Sequence, residues 1–189
     1  MKRYLAIILI LIPCLVIASE QSPYAGEEIR SIKSMSEQEI ESLRRGDGMG
    51  FAKLAELNHF PGPRHVLDIA DELELSAEQL AMTQSLYEEM RRSAVILGKE
   101  LLEAESRLDM DFEQRTVNPE SLEASLLEIG RLQAQLRYVH LEAHLTQTRL
   151  LTPDQIETYD AVRGYGGSPH DPGAHSTMHE PQASPGEEE

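Results

Sequence analysis

Apolar residues recur every three or four positions along two long stretches in the middle of the chain. In the first stretch these residues are Leu86, Met90, Ala94, Leu97, Leu101, Leu108 and Phe112, and in the second they are Leu122, Leu126, Ile129, Leu132, Leu136, Val139, Ala143 and Leu150. Such spacing predicts two long amphipathic helices. Between them lies Asn118-Pro119, a pair typical of a helix start. The pattern therefore predicts an antiparallel helical hairpin whose apolar stripes face each other.

A repeated short phrase opens and closes this region. Residues 75–79 are Leu-Ser-Ala-Glu-Gln, and residues 151–155 are Leu-Thr-Pro-Asp-Gln. In both, a hydroxyl residue is followed three positions later by glutamine, the pattern of a capping box. Ser76 and Thr152 are therefore predicted to begin helices, with Pro153 at the first helical position.

Shorter helices are predicted on both sides of the hairpin. Ser36 opens another capping box, and its helix is expected to run to Arg45 and to stop at Gly46. Residues 51–58 and 64–74 are expected to be helical, and so is 155–163. The fold class is therefore all-α. Gly98 is the expected weak point of the first long helix, because glycine costs about 1 kcal/mol relative to alanine inside a helix.

Composition divides the rest of the chain. Residues 1–18 carry Lys2 and Arg3 before an apolar run, which predicts a cleaved signal peptide and a periplasmic location. Residues 19–34 are polar and are expected to form a flexible arm, whereas 35–163 form the helical domain. Residues 164–189 combine glycine, proline, histidine and acidic residues, a composition that predicts a disordered tail.

Charge and cysteine content limit the possible functions. The chain has 17 Lys and Arg residues against 33 Asp and Glu, a formal charge of −16. Removal of a signal peptide that contains Lys2 and Arg3 would make it −18. This balance argues against nucleic acid and against anionic membrane surfaces as partners. The same cleavage would remove Cys14, the only cysteine, and with it any disulfide or thiolate chemistry.

The two phrases at 75–79 and 151–155, together with an export signal and a long α-hairpin, resemble the Spy/CpxP family of periplasmic stress proteins. The resemblance covers about residues 64–163. It implies a curved, cradle-like helical structure and a homodimer. Some members of that family are ATP-independent chaperones, and others bind transition metals and report them to a membrane signalling partner. Its chaperones present a basic concave face, whereas residues 75–155 here hold 8 basic and 14 acidic residues.

A histidine pair is the strongest candidate for metal chemistry. His140 and His144 are one helical turn apart, so their imidazoles are expected on the same face of the second long helix. Two neutral imidazoles at this spacing suit Zn²⁺ or another divalent transition metal. Met90 and Glu89 are expected opposite the pair, and His65 is a further possible ligand. Alternatively, His140 and His144 are half-buried polar residues beside the apolar stripe, without a ligand.

The C-terminal segment contains three more histidines, His170, His175 and His179, which predict weak metal chelation or only solubility. No nucleophile–base pair, phosphate loop or complete catalytic metal site is recognisable, so an enzyme is not expected and no cofactor is required. The favoured function is an envelope-stress binding protein that holds unfolded protein clients on an apolar helical surface. The alternative is a heavy-metal sensor or resistance protein that uses His140 and His144.

Overall fold

A computed structural model of the protein describes residues 21–165, and this part of the chain is all-helical, as predicted. Two long helices pack against each other as a hairpin, and shorter helices flank them. The α-helices in chain order are α1 (Glu37–Arg45), α2 (Lys53–Glu56), α3 (Pro63–Asp68), α4 (Ala77–Glu113), α5 (Pro119–Leu150) and α6 (Pro153–Arg163). No helix within residues 21–165 combines the length and the apolar character needed to cross a membrane.

Four helices begin at the residues that the sequence predicts. The N-caps are Ser36 for α1, Ser76 for α4, Asn118 for α5 and Thr152 for α6. Each capping side chain accepts a hydrogen bond from the backbone N–H three positions later, and the residue there bonds back to the cap. These reciprocal bonds satisfy N–H groups that have no partner within the helix.

The two repeated phrases also bind each other. The amide nitrogen of Gln79 donates to Gln155 Oε1 at 2.8 Å, and that of Gln155 donates to Gln79 Oε1 at 3.1 Å. The same nitrogens donate to backbone carbonyls just before the opposite phrase, from Gln79 to Leu150 and from Gln155 to Leu73. The capping glutamines therefore also join the starts of α4 and α6 at the open end of the hairpin.

One apolar core lies between α1 and the two long helices. Its buried residues are Leu43, Ala94, Leu101, Ala104, Ile129, Leu132 and Leu136. A second, smaller core of Val66, Leu73, Leu151 and Tyr159 lies beneath α3 and α6. These two cores hold the short helices against the hairpin.

Gly98 does not interrupt α4, which is continuous across it. A Cβ atom at this position would lie 2.5 Å from the carbonyl oxygen of Leu43 in α1. Gly98 therefore lets the backbone of α1 approach α4 more closely than any larger residue would. The predicted long helix is confirmed across its expected weak point, and the close approach of Leu43 explains why glycine stands there.

Two segments differ from the sequence-based expectation. The helix expected over 64–74 ends at Asp68, and turns follow from Ile69 to Glu74, which has a φ of 48°. These turns place Leu73 in the second core with 2% of its surface exposed. In the segment expected to be a flexible arm, Ile32 is buried, and Lys33 pairs with Asp109 of α4 at 2.9 Å. Its polar composition gives no sign of these two contacts.

Candidate functional site

A cavity of about 460 Å³ lies where the short helices meet the half of the hairpin farther from its turn. We call it the histidine cavity. The α1–α2 loop, α2 and the start of α3 form one side, and α4, α5 and the end of α6 form the other. Its size is within the range of small-molecule sites in proteins. Chemically distinctive side chains in its wall are Asp47, Glu56, His65, Tyr87, Met90, His140, His144 and Tyr165.

The imidazole of His144 is fixed in orientation. Its Nδ1 lies 2.7 Å from the backbone carbonyl oxygen of Phe60, so Nδ1 carries the proton and donates it. A Cβ atom at position 62 would come within 2.7 Å of His144 Nε2, so only glycine leaves room for the ring there. With the Nδ1 proton directed at Phe60, Nε2 is the ring nitrogen left for another partner. Metal-binding histidines commonly have this arrangement, in which the second nitrogen donates to a carbonyl.

His140 is more deeply buried, with 3% of its surface exposed. Its ring stacks on Phe51 with 5.9 Å between the ring centroids, and its Nε2 has no hydrogen-bond partner within residues 21–165. Burial lowers the pKa of His140, and the neighbouring His144 lowers it further. His140 is therefore neutral at pH 7, the state that can ligate a metal.

The structure brings together four of the five residues proposed as metal ligands. His140, His144, His65 and Met90 all line the histidine cavity. Glu89 does not line it and is exposed, so its placement opposite the histidines was wrong. Because successive helical residues point about 100° apart, the neighbouring side chains of Glu89 and Met90 take different directions, and Met90 is the one that faces the cavity. No cluster of three or more His, Cys, Asp or Glu side chains within residues 21–165 is arranged to hold a metal ion. His170, His175 and His179 lie outside the described residues.

A buried polar network beside the cavity was missed by sequence reasoning. Glu56 of α2 is 9% exposed and accepts hydrogen bonds from Tyr159 at 2.6 Å and Tyr165 at 3.1 Å. Arg163 lies 3.4 Å from the same carboxylate. Burial and the Glu56 carboxylate raise the pKa of Tyr159, whose side chain is fully buried. About a hundred residues separate Glu56 from these partners in sequence, so no local pattern links them.

An apolar depression lies near the turn of the hairpin. We call it the tip patch, formed by Pro119, Leu122, Leu126 and Leu127, with Glu123 at its edge. Leu126 is 52% exposed and Leu127 is 69% exposed. Phe112, close to the end of α4, is 55% exposed at the same end of the hairpin. At 1.5 Å per residue, the tip patch lies about 20 Å along α5 from His140.

The chain was compared with models of known protein families, with curated proteins and with solved structures, and none of the three comparisons gives a match.

Proposed function

We propose that this protein is an exported, periplasmic binding protein of the envelope-stress type, similar to the Spy/CpxP chaperones, that holds unfolded proteins without ATP. The observation that supports this proposal most directly is the tip patch, where leucines are exposed side by side on a long helical hairpin. Adjacent exposed apolar side chains are typical of surfaces that bind other proteins.

The chemistry of the tip patch suits an unfolded client. An unfolded chain exposes apolar side chains, and each square ångström of apolar surface removed from water contributes about 25 cal/mol. The patch offers apolar contact without a deep, shaped pocket, so it can accept many sequences. Residues 75–155 carry 14 acidic and 8 basic residues. This acidic surface favours retention of clients by apolar contact over attraction of acidic clients.

Replacement of Leu126 and Leu127 together by serine is expected to weaken client protection several-fold. The change removes the two exposed leucines of the tip patch and leaves the buried core residues Ile129 and Leu132 in place. The measurement is light scattering of a reduced, aggregating client protein, recorded against increasing concentration of wild type or variant.

The matched control is Leu54→Ser with Val162→Ser, which removes two exposed apolar side chains from α2 and α6, away from the tip patch. The control is expected to protect the client as well as wild type does. Equal protection by all three proteins would rule out the tip patch as the client site.

A second candidate function is metal sensing or metal resistance through His140 and His144. The specific observation in its favour is the hydrogen bond from His144 Nδ1 to Phe60, which leaves Nε2 as a ligand. His140, Met90 and His65 share the same cavity and provide nitrogen and thioether donors for a divalent transition metal. In this function a membrane signalling partner would recognise the metal-bound protein.

Zn²⁺ is expected to raise the melting midpoint of the protein, because a metal that binds the native state alone stabilises it. The background for the measurement is a variant with His170, His175 and His179 replaced by alanine, which removes weak chelation by these three residues. In this background the shift should vanish on His140→Ala/His144→Ala and should persist on Glu89→Ala. Each change in melting midpoint compares the same variant with and without Zn²⁺, so a variant that is less stable without metal can still be compared with the others. An equal shift with and without the histidine pair would contradict the metal function.

A further inference from the structure

The wall of the histidine cavity is basic although the protein is strongly acidic. Among residues 21–165, five Lys and Arg residues line the cavity, but only two Asp and Glu residues do. The five basic residues are Arg45, Lys53, Arg64, Arg91 and Arg163. A concave wall with an excess of one sign of charge concentrates ligands of the opposite sign, even when the net charge of the protein repels them.

The two carboxylates in the wall already have cationic partners. Asp47 pairs with Arg45 at 2.7 Å, and Glu56 lies 3.4 Å from Arg163. The cationic groups of Lys53, Arg64 and Arg91 have no carboxylate within ion-pair distance among residues 21–165. They come from three different elements, α2, α3 and α4. Three exposed cationic side chains therefore line one cavity without a protein carboxylate within ion-pair distance, although Nε of Arg91 donates to the backbone carbonyl oxygen of Arg45 at 3.3 Å.

The rest of the wall offers contacts for the uncharged part of a ligand. Tyr87 and Met90 contribute an aromatic ring and a thioether, and the buried ring of His140 adds a neutral surface. Gly48 and Gly50 also line the cavity, and a Cβ atom at either position would meet nothing closer than 3.9 Å, so a ligand can approach the backbone closely there. A few polar groups around an apolar wall are typical of small-molecule sites.

We propose that the histidine cavity binds a small organic anion, whose carboxylate or phosphate group is held by Lys53, Arg64 and Arg91 and whose body packs against Tyr87 and Met90. Arginine and lysine form charge-assisted hydrogen bonds with both kinds of anionic group. The site is separate from the tip patch, so this activity goes beyond client binding. It also differs from metal binding, because it uses the cations of the wall and no metal.

The proposal is tested by NMR titration of the full mature chain with three small probes. Benzoate and phenyl phosphate carry the two candidate anionic groups on one ring, and benzamide is their neutral counterpart. The buffer is passed over a chelating resin, so that no metal can bridge a probe to the histidines. The backbone amide signals of Gly48 and Gly62 in the cavity report binding. The amide signal of Gly130 is the reference, because Gly130 is exposed on α5 outside the cavity.

Saturable shifts of the two cavity glycines are expected with at least one anionic probe, and none with benzamide. Comparison of benzoate with phenyl phosphate identifies the preferred anionic group. Arg64→Gln and Arg91→Gln are each expected to weaken binding about tenfold, equivalent to about 1.4 kcal/mol. Arg137→Gln is the matched control, because Arg137 is exposed on α5 outside the cavity and the loss of charge is the same. Its affinity should equal that of wild type.

Three results would overturn the proposal. The first is the absence of saturable shifts with both anionic probes at millimolar concentration. The second is equal binding of benzamide and benzoate, which would show that the cations play no part. The third is an equal loss of affinity in Arg137→Gln and the two cavity variants, which would show only the effect of net charge. None of these results affects the tip patch, so failure here is distinguishable from failure of the client-binding proposal.

Discussion

Gly98→Ala is expected to destabilise the protein by about 2 kcal/mol, although alanine is the better helix former. In an isolated helix this change would stabilise by about 1 kcal/mol. In α4 the added methyl carbon would lie 2.5 Å from the Leu43 carbonyl oxygen and 3.1 Å from its carbonyl carbon. Both are backbone atoms, so the contact can be relieved only by moving α1 away from α4. Overpacking of this kind typically costs 1–3 kcal/mol.

Gly130→Ala is the matched control, because Gly130 is also an interior helical glycine, in α5. Nothing lies within 4 Å of a Cβ at position 130, and the residue is exposed. Alanine there should therefore stabilise by about 0.5–1 kcal/mol. Urea unfolding followed by far-UV circular dichroism measures both variants. If Gly98→Ala stabilises as Gly130→Ala does, α1 does not lie against α4 as closely as the structure shows.

The helices of this protein could be predicted from sequence because their signals are local. Ser76, Asn118 and Thr152 mark helix starts with residues only three positions apart, and all three predictions are confirmed. Gly98 shows the limit of such reasoning. Helix propensity alone indicates a weak position, whereas the true role of the residue depends on Leu43, which lies in another helix.

The candidate site was predictable only where it lies on a regular helix. The i, i+4 spacing placed His140 and His144 on one face, and both line the histidine cavity. Met90 was placed correctly from the register of the hairpin, and its neighbour Glu89 was not. The basic wall could not be foreseen, because Lys53, Arg64 and Arg91 come from three separate elements. Their convergence depends on how the short helices pack, which the apolar pattern of a short segment does not determine.

Glu56→Ala is expected to destabilise the protein by about 3 kcal/mol, an unusually large cost for an acidic residue. The side chain accepts hydrogen bonds from Tyr159 and Tyr165 and lies beside Arg163, so it ties α2 to the end of α6. Removal would leave the hydroxyl of Tyr159 buried without an acceptor, because that residue is 0% exposed. An unsatisfied buried polar group costs about 1–3 kcal/mol, in addition to the lost charge-assisted bonds.

The same mechanism predicts that a second substitution will restore part of the lost stability. Tyr159→Phe alone should cost about 1–2 kcal/mol, because it removes one hydrogen bond to a charged group. Combined with Glu56→Ala, it removes the unsatisfied hydroxyl, so the double variant should be more stable than Glu56→Ala alone. The double-mutant cycle from urea unfolding gives this coupling directly. Glu157→Ala, an exposed change in α6, is the control and should stay within about 0.5 kcal/mol of wild type. Strictly additive losses would show that Glu56 and Tyr159 do not depend on each other, contrary to the 2.6 Å bond between them.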